Sequence, residues 1–324
     1  MNNQSSIYVA GHTGLIGSAV VRRLHKAGYA NILTRSRSEL DLQDSEGVST
    51  FFDQFRPDYV VFAAGRVGGI IENQTFPADF MNENLATQLT VLQAARRFDV
   101  KKLIFFGSSC MYPRECSQPM AESALLSGQP EPTSLPYAIS KLVGLHLCLA
   151  YNKQDGKTRF LPLIPNSAYG PCDNFDPNSG HVLAALITKF HQAKVSGEKT
   201  VKLWGSGTPR REFIHADDIA GACLHLLEME SNEMPLPINV GVGSDISIKE
   251  LADLIGETIG YPGSVEWDQS KPDGCPRKFL DSGRMRNLGW KPDVSLAEGL
   301  QNTYEWYLNH LDSLPFLRDR VACH

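Results

Sequence analysis

Three glycines, Gly11, Gly14 and Gly17, stand between an apolar run and an amphipathic one in "YVAGHTGLIGSAVV". "SIYVAG" has the composition of a buried strand. "SAVVRRLHKAGY" puts Ala19, Val20, Leu24 and Ala27 at helical spacing. A strand that enters a helix through GxxGxxG suits a dinucleotide. The first glycine allows the tight turn, the second lets backbone approach a pyrophosphate, and the third lets helix pack on strand. Leu15 and Ile16 open the helix, whose N-terminus offers N–H groups and positive dipole to phosphate. A ligand-free turn is the competing reading. The place of the triplet, at the first strand–helix junction, favours the ligand.

The alternation continues. "NILTRS", "YVVFAAG", "KKLIFFGS" and "RFLPLIP" read as strands, whereas "GVSTFFDQFRP", "FMNENLATQLTVLQAARRFDV" and "YAISKLVGLHLCLAYNKQDG" read as helices. This rhythm predicts an α/β fold, a doubly wound parallel (Rossmann) sheet with helices on both faces. After "YGP" at 169–171 the chain turns polar and Pro/Gly-punctuated, then resumes as shorter mixed elements. The expected division is a dinucleotide domain over 1–170, with returning segments near 213–243, and a substrate lobe mainly over 171–324.

Composition excludes several classes. The 324 residues are 42% hydrophobic, enough for a sizeable core. Net charge is −5 and no basic run reaches five residues, so no nucleic-acid partner is expected. No apolar stretch approaches the ~20 residues of a membrane helix. Nor does the N-terminus carry a signal-peptide pattern. The cysteines, 110, 116, 148, 172, 223, 275 and 323, are odd in number and irregular in spacing, with no CxxC. A reduced, cytoplasmic protein without a metal site fits this usage.

The second strand ends in "LTRSRSELDL". An acidic residue there would hold an NAD ribose; Arg35 and Arg37 instead match a phosphate by bidentate hydrogen bonds. The expected cofactor is therefore NADP(H) rather than NAD(H). A solvated rim is the competing reading for the arginines, and Asp41 remains a candidate for adenine or ribose.

"PYAISKLVG" places Tyr137 and Lys141 four apart, on one helical face. A lysine beside a phenol favours phenolate, so the spacing predicts a lowered tyrosine pKa. Ser108, at the tip of the fourth strand, can hydrogen-bond the same substrate oxygen. Cys110 follows two residues later; in an extended continuation both side chains share a face. His181, where a polar loop meets the next helix, is a second ionisable candidate. Hydride transfer needs neither thiol nor imidazole. Inverting a carbon beside a ketone needs a base and an acid, which such a pair can supply. Cys110 as a small buried hydrophobe is the bland alternative.

With GxxGxxG, "FGSS", Tyr137-x-x-x-Lys141, "REFIHADDIA" and "PINVGVG", nearly the whole chain resembles the extended short-chain dehydrogenase/reductase family acting on nucleotide sugars. "RVGGI", "PADFMNENL", "GSSCMYP", "YGPCDNFDPNSGHV", "LWGSGTPRREFIHADD" and "SKPDGCPRKFLD" narrow this to its GDP-L-fucose synthase branch. The resemblance implies an NADPH-dependent 3,5-epimerase/4-reductase acting on GDP-4-keto-6-deoxy-D-mannose. It implies Cys110 and His181 as the epimerising pair, without fixing which starts as base. It implies Ser108, Tyr137 and Lys141 as the reductase set, and Lys141, Pro165 and His181 at the cofactor. Lys189, Trp204, Arg211 and Asp273 match positions holding the GDP-sugar. A homodimer through a four-helix bundle is implied too, with Leu89, Leu92, Leu145 and Leu149 as candidate contacts. The chain departs from the usual pattern at Thr13, Arg66 and "PNSAYG". Alternatives are a relative acting on another GDP-4-keto sugar (3,6-dideoxy or heptose), a nucleotide-sugar 4-epimerase, and a silent NADP-binding scaffold.

Overall fold

The computed structural model describes residues 1–230, 234–271 and 273–314. Pro272 of "SKPDGC", Cys323 and the end of the expected lobe lie outside them. The first half runs β1 (Ile7–Ala10), α1 (Leu15–Lys26), β2 (Ile32–Leu33), α2 (Ser45–Phe55), β3 (Tyr59–Phe62), α3 (Ile70–Thr75), α4 (Pro77–Arg97), β4 (Lys102–Phe106), α5 (Leu135–Asp155) and β5 (Phe160–Pro165). There follow β6 (Ser167–Tyr169), α6 (Val182–Ser196), β7 (Thr200–Trp204), β8 (Arg210–Arg211), β9 (Phe213–His215), α7 (Ala216–Glu228) and β10 (Ile238–Val240). The chain then forms β11 (Ile246–Ser247), α8 (Ile248–Ile259), β12 (Ser264–Asp268), β13 (Arg277–Lys278), α9 (Gly283–Asn287) and α10 (Leu296–Asn309).

The main sheet has six parallel strands in the order β10-β5-β4-β3-β1-β2. It is the expected Rossmann-type sheet. From β1 the chain goes outward to β2, then returns to β3 on the other side. This reversal opens a crevice beyond the carboxyl ends of β1 and β3, where such sheets bind ligands. Period-two alternation divides the strands between two cores. Ile7, Val9, Val61, Ile104 and Leu161 pack with α1 and α7, while Tyr8, Ala10, Val60, Phe62 and Phe105 pack with α2, α4 and α5. Each fully buried Val, Ile or Phe side chain contributes roughly 1.5–3 kcal/mol of transfer free energy. Both faces are covered, which is why the strands read as unbroken apolar runs.

A third core joins Phe175, Leu183, Ile187, Phe190, Leu251, Ile255 and Tyr307. The returning stretch splits in two: β9 pairs with β6 in a small parallel sheet, and β10 adds to the edge of the main one. Two more small sheets, β11-β8-β13 and β12-β7, stand beyond the strand ends. The start of α8 carries a capping box, with Ser247 and Glu250 exchanging hydrogen bonds. Of the proposed interface leucines, Leu92 and Leu145 are 0% exposed in the core and so are unavailable to a partner. Leu149 is packed against the same core, whereas Leu89 is 48% exposed.

Candidate active site

The glycine loop is built to receive an anion. Gly11 sits at φ +81°, and a Cβ there would lie 2.7 Å from the Ala64 nitrogen, so the turn passes tightly over the end of β3. At Gly17 a Cβ would lie 2.0 Å from the Gly11 carbonyl oxygen, which leaves only glycine able to seat α1 on the loop. Gly14 is different: its Cβ would be an ordinary 3.6 Å from the same oxygen. Nothing in the fold crowds it, so its open face is kept for a ligand. No side chain caps α1, and no acidic residue lies in its first turn. The first-turn N–H groups at Leu15, Ile16 and Gly17 therefore remain available. Nδ1 of His12, in the same loop, is buried without a partner among the described residues. A dinucleotide pyrophosphate fits these donors.

The two arginines after β2 differ. Arg35 stacks over the Phe55 and Phe51 rings, 4.7 and 5.4 Å from their centroids, and donates to the Thr34 carbonyl at 2.7 Å. Arg37 is exposed, with no side-chain partner among the described residues. Asp41 accepts from the Gln43 N–H at 3.0 Å. Pro165 ends β5 and is buried beside Val240 of β10.

Ser108, Tyr137 and Lys141 come together at the end of β4. Gly144 makes this possible: a Cβ there would lie 2.5 Å from the Phe105 ring, so α5 sits directly on β4. One turn earlier, Lys141 is buried and donates through Nζ to the Phe106 carbonyl at 3.0 Å. Nζ lies 5.8 Å from the centroid of the Tyr137 ring. The lowered tyrosine pKa expected from this spacing does not appear. Burial pushes the phenol well up, the Cys110 charge adds to it, and a hydrogen bond with Ser108 only partly opposes them. Lys141 does not counter this: burial brings its ammonium down to about 8, and its proton is directed at the Phe106 carbonyl.

The thiol reaches the site by a turn rather than by a continuing strand. Ser108 is extended, and Ser109–Met111 form one 3₁₀ turn, with the Cys110 N–H donating to Ser108 Oγ at 3.2 Å. Tyr112 anchors the turn to β10 through a 2.6 Å hydrogen bond to Asn239. Burial pushes the Cys110 thiol up. The Lys278 charge and hydrogen bonds with Ser108, Ser134 and Lys278 outweigh it and hold the thiol below its usual range. Lys278 Nζ lies 3.6 Å from the sulfur. His181 sits at the N-terminal boundary of α6, half exposed, with Nδ1 3.5 Å from Oδ1 of buried Asp173. Its pKa is raised by that hydrogen bond first; burial opposes, and the charges of Asp173 and Cys110 add to the rise. The Cys110 charge thus acts on His181, Tyr137 and Arg211 alike, which places the four in one electrostatic cluster.

Farther out, Trp204 is 63% exposed, with Lys189 and Lys271 ammonium groups 5.8 and 5.6 Å from its ring centroid. Burial lowers the pKa of Lys189. Asp273 accepts from the Ser206 N–H at 2.9 Å and its hydroxyl at 2.7 Å, which fixes the turn after Trp204. Arg211 on β8 stands opposite Lys278 on β13. Sequence reasoning missed Lys278, Ser134, Asp173 and Lys271. Asp173 and Lys278 lay inside quoted motifs, but nothing in their spacing revealed what they face. Arg66, a departure from the family pattern, is held by Glu83 at 2.6 Å and Asp79 at 3.7 Å.

A glycine-rich strand–helix junction beside a Ser–Tyr–Lys set defines a nicotinamide-dependent enzyme of the short-chain dehydrogenase type, here with a thiol and an imidazole that hydride transfer alone does not require. The chain belongs to the NAD dependent epimerase/dehydratase family, whose model matches residues 7–241. It is 47% identical to GDP-L-fucose synthase 1 of Arabidopsis thaliana, over 96% of this chain and 95% of that protein. It is 46% identical to GDP-L-fucose synthase of Escherichia coli (strain K12), over 96% of this chain and 98% of that one. A solved GDP-L-fucose synthetase from Naegleria fowleri bound to NADP superposes with a TM-score of 0.89 at 29% identity, covering 97% of this chain and 95% of that one.

Proposed function

We propose that the protein is an NADPH-dependent 3,5-epimerase/4-reductase that converts GDP-4-keto-6-deoxy-D-mannose to GDP-L-fucose. The observation that carries this reading is the opposed tuning of Cys110, held down by Lys278, and His181, held up by Asp173, beside one reductase set. The 4-keto group acidifies the hydrogens on both neighbouring carbons. The Cys110 thiolate takes a proton from carbon 3 or 5, and the electron pair moves onto the carbon-4 oxygen. Ser108 hydrogen-bonds that oxygen. The His181 imidazolium returns a proton to the opposite face, inverting the carbon. Between the two inversions the thiol gives its proton to solvent and the imidazole takes one up, so the same pair serves both carbons. When bound, the nicotinamide supplies hydride to carbon 4. Tyr137, kept protonated by burial, gives its proton to the oxygen, while Lys141 holds the nicotinamide ribose. Arg37 would take the ribose 2′-phosphate that distinguishes NADP(H). Lys189, Arg211, Trp204 and Asp273 hold the GDP moiety: cations for pyrophosphate, an indole and a carboxylate for base and sugar.

We further infer a homodimer in which α4 and α5 of two copies form a four-helix bundle, with Leu89 and Val143, each 48% exposed, at its seam. Among the described residues no helix is long and apolar enough to cross a membrane. The six described cysteines are free, which supports a reducing cytoplasmic setting.

The deciding experiment incubates the protein with GDP-4-keto-6-deoxy-D-mannose and NADPH in heavy water. The expected product is GDP-L-fucose carrying solvent deuterium at carbons 3 and 5, by mass and proton NMR. Cys110→Ser should abolish that incorporation and leave cofactor binding intact. A reduced sugar without deuterium would leave only a plain reductase, and unchanged exchange in Cys110→Ser would remove Cys110 from the mechanism.

A further inference from the structure

Glu212 is the least expected charge in the molecule. It is 0% exposed, and no cation pairs with it among the described residues. Its neighbours are N–H donors. Oε1 accepts from the Gly243 N–H at 2.8 Å; Oε2 accepts from Asn166 Nδ2 at 2.7 Å and from the Leu280 N–H at 3.0 Å. Burial raises its pKa against these hydrogen bonds. A buried carboxylate without a counter-charge is costly unless its geometry does something a neutral residue cannot.

The geometry converges on one dipeptide. The Glu212 N–H donates to the Lys278 carbonyl at 3.2 Å, and Asn166 Nδ2 reaches the same carbonyl at 3.3 Å. The carboxylate holds the N–H two residues on, at Leu280. The backbone that leaves Lys278, from its carbonyl to the Leu280 N–H, is therefore held at both ends by a single residue. Met120, on the chain that leaves the Cys110 turn, donates to Phe279 O at 2.7 Å and accepts from the Asp281 N–H at 2.9 Å. On the outer side, Arg277 pairs with Asp245. Lys278 has a flexible four-carbon stem, so a fixed backbone is what keeps its ammonium 3.6 Å from the Cys110 sulfur.

We propose that Glu212 is a positioning residue for the base, locking the backbone from the Lys278 carbonyl to the Leu280 N–H so that the ammonium stays on the Cys110 sulfur. This rests on Cys110 being the base. The other charged or titratable groups acting on the thiol are Arg211 on β8, Tyr137 on α5 and His181 at α6, and none of them hydrogen-bonds Glu212. A glutamine at 212 is isosteric, but its NH₂ would face N–H donors that need an acceptor.

The test reads the thiol directly, without turnover. Iodoacetamide alkylation of Cys110 is followed against pH by peptide mass spectrometry on the full-length protein. Glu212→Gln should slow alkylation about tenfold at neutral pH and move its midpoint upward, because only thiolate reacts. Lys278→Met should do the same. The double variant should alkylate no more slowly than Lys278→Met, since a residue acting through another adds nothing once that one is gone. Glu212→Asp, which keeps the charge but withdraws it by one methylene, should give a smaller change in the same direction and decides the matter if Glu212→Gln does not fold. A purely structural role would lower the unfolding temperature and leave the midpoint in place. An unmoved midpoint in the folded Glu212 variants, or additive effects in the double variant, would overturn the proposal. Failure of the premise that Cys110 is the base would show separately, as deuterium exchange surviving in Cys110→Ser.

Discussion

Nδ1 of His181 lies 3.5 Å from Oδ1 of Asp173, whose other oxygen, Oδ2, is buried with no hydrogen-bond partner among the described residues. That oxygen is a poor place for a negative charge unless the imidazole carries the compensating proton. The pair also fixes the tautomer: a proton on Nδ1 faces Asp173, which frees Nε2 for a substrate. The sign of the pH effect follows. His181 has a raised pKa, so its acid form persists to higher pH than an isolated imidazole. Asp173→Asn removes the charge and lets the pKa fall. The limb on which deuterium exchange is lost as pH rises should therefore move to lower pH, with exchange above neutrality down by about tenfold or more. A pH profile of exchange checks this; an unmoved alkaline limb would remove Asp173 from the acid's support.

Tyr137 and Cys110 are neighbours with separate tasks. Burial keeps the phenol protonated, which suits a donor and rules it out as a base near neutral pH. Tyr137→Phe should cut NADPH oxidation by about 10²–10⁴-fold, while solvent exchange at carbons 3 and 5 stays within a few-fold of wild type. Parallel measurement of cofactor absorbance and product deuteration separates the two. An equal collapse of both would mean that one proton network serves the whole reaction.

The glycines of the loop should also separate. Gly17→Ala would put a methyl 2.0 Å from the Gly11 carbonyl oxygen, a backbone atom that cannot swing away. Displacing the loop or α1 should cost about 3 kcal/mol or more. Gly14→Ala meets nothing closer than 3.6 Å. Its unfolding temperature should stay near wild type while NADPH affinity falls about tenfold or more, because the methyl occupies the space left for pyrophosphate. Thermal unfolding and cofactor titration on both variants decide it; a Gly14→Ala protein that binds NADPH normally would take that face out of the cofactor site.

Local chemistry explains what the sequence revealed. Gly11 and Gly17 are constrained by atoms within a few residues or on the adjacent strand, and Tyr137 and Lys141 by helical spacing, so their signals are short-range. The turn at Ser109–Met111 was read as extended because a serine after an apolar strand carries no marker for a 3₁₀ turn. The tyrosine pKa differs from that expectation because spacing predicts proximity to a lysine but not the burial that raises the phenol. Lys278 and Asp173 escaped for a tertiary reason. Lys278 is 168 positions from the thiol it faces, and two strands with no periodic pattern bring it there. Leu92 and Leu145 follow the same rule, since apolar spacing on a helix cannot say which stripe meets its own core and which meets a partner.

That ambiguity sets up the last prediction. Within one chain α4 and α5 already pack against each other and bury Leu92 and Leu145 toward the sheet. Leu89 and Val143 point elsewhere, each 48% exposed, as isolated large apolar groups on the outer surface of that pair. If two copies join through this surface, a charge at either position would be buried against apolar side chains, at a cost of several kcal/mol. The double variant Leu89→Glu with Val143→Glu should then be a folded monomer, with dimer affinity weakened by at least about 100-fold. Because both residues lie outside the monomer's cores, its circular dichroism should match wild type. Light scattering on wild type and variant across a concentration series reads the outcome. A wild-type protein that is monomeric throughout, or a variant that keeps the dimer mass, would move the interface off these two helices.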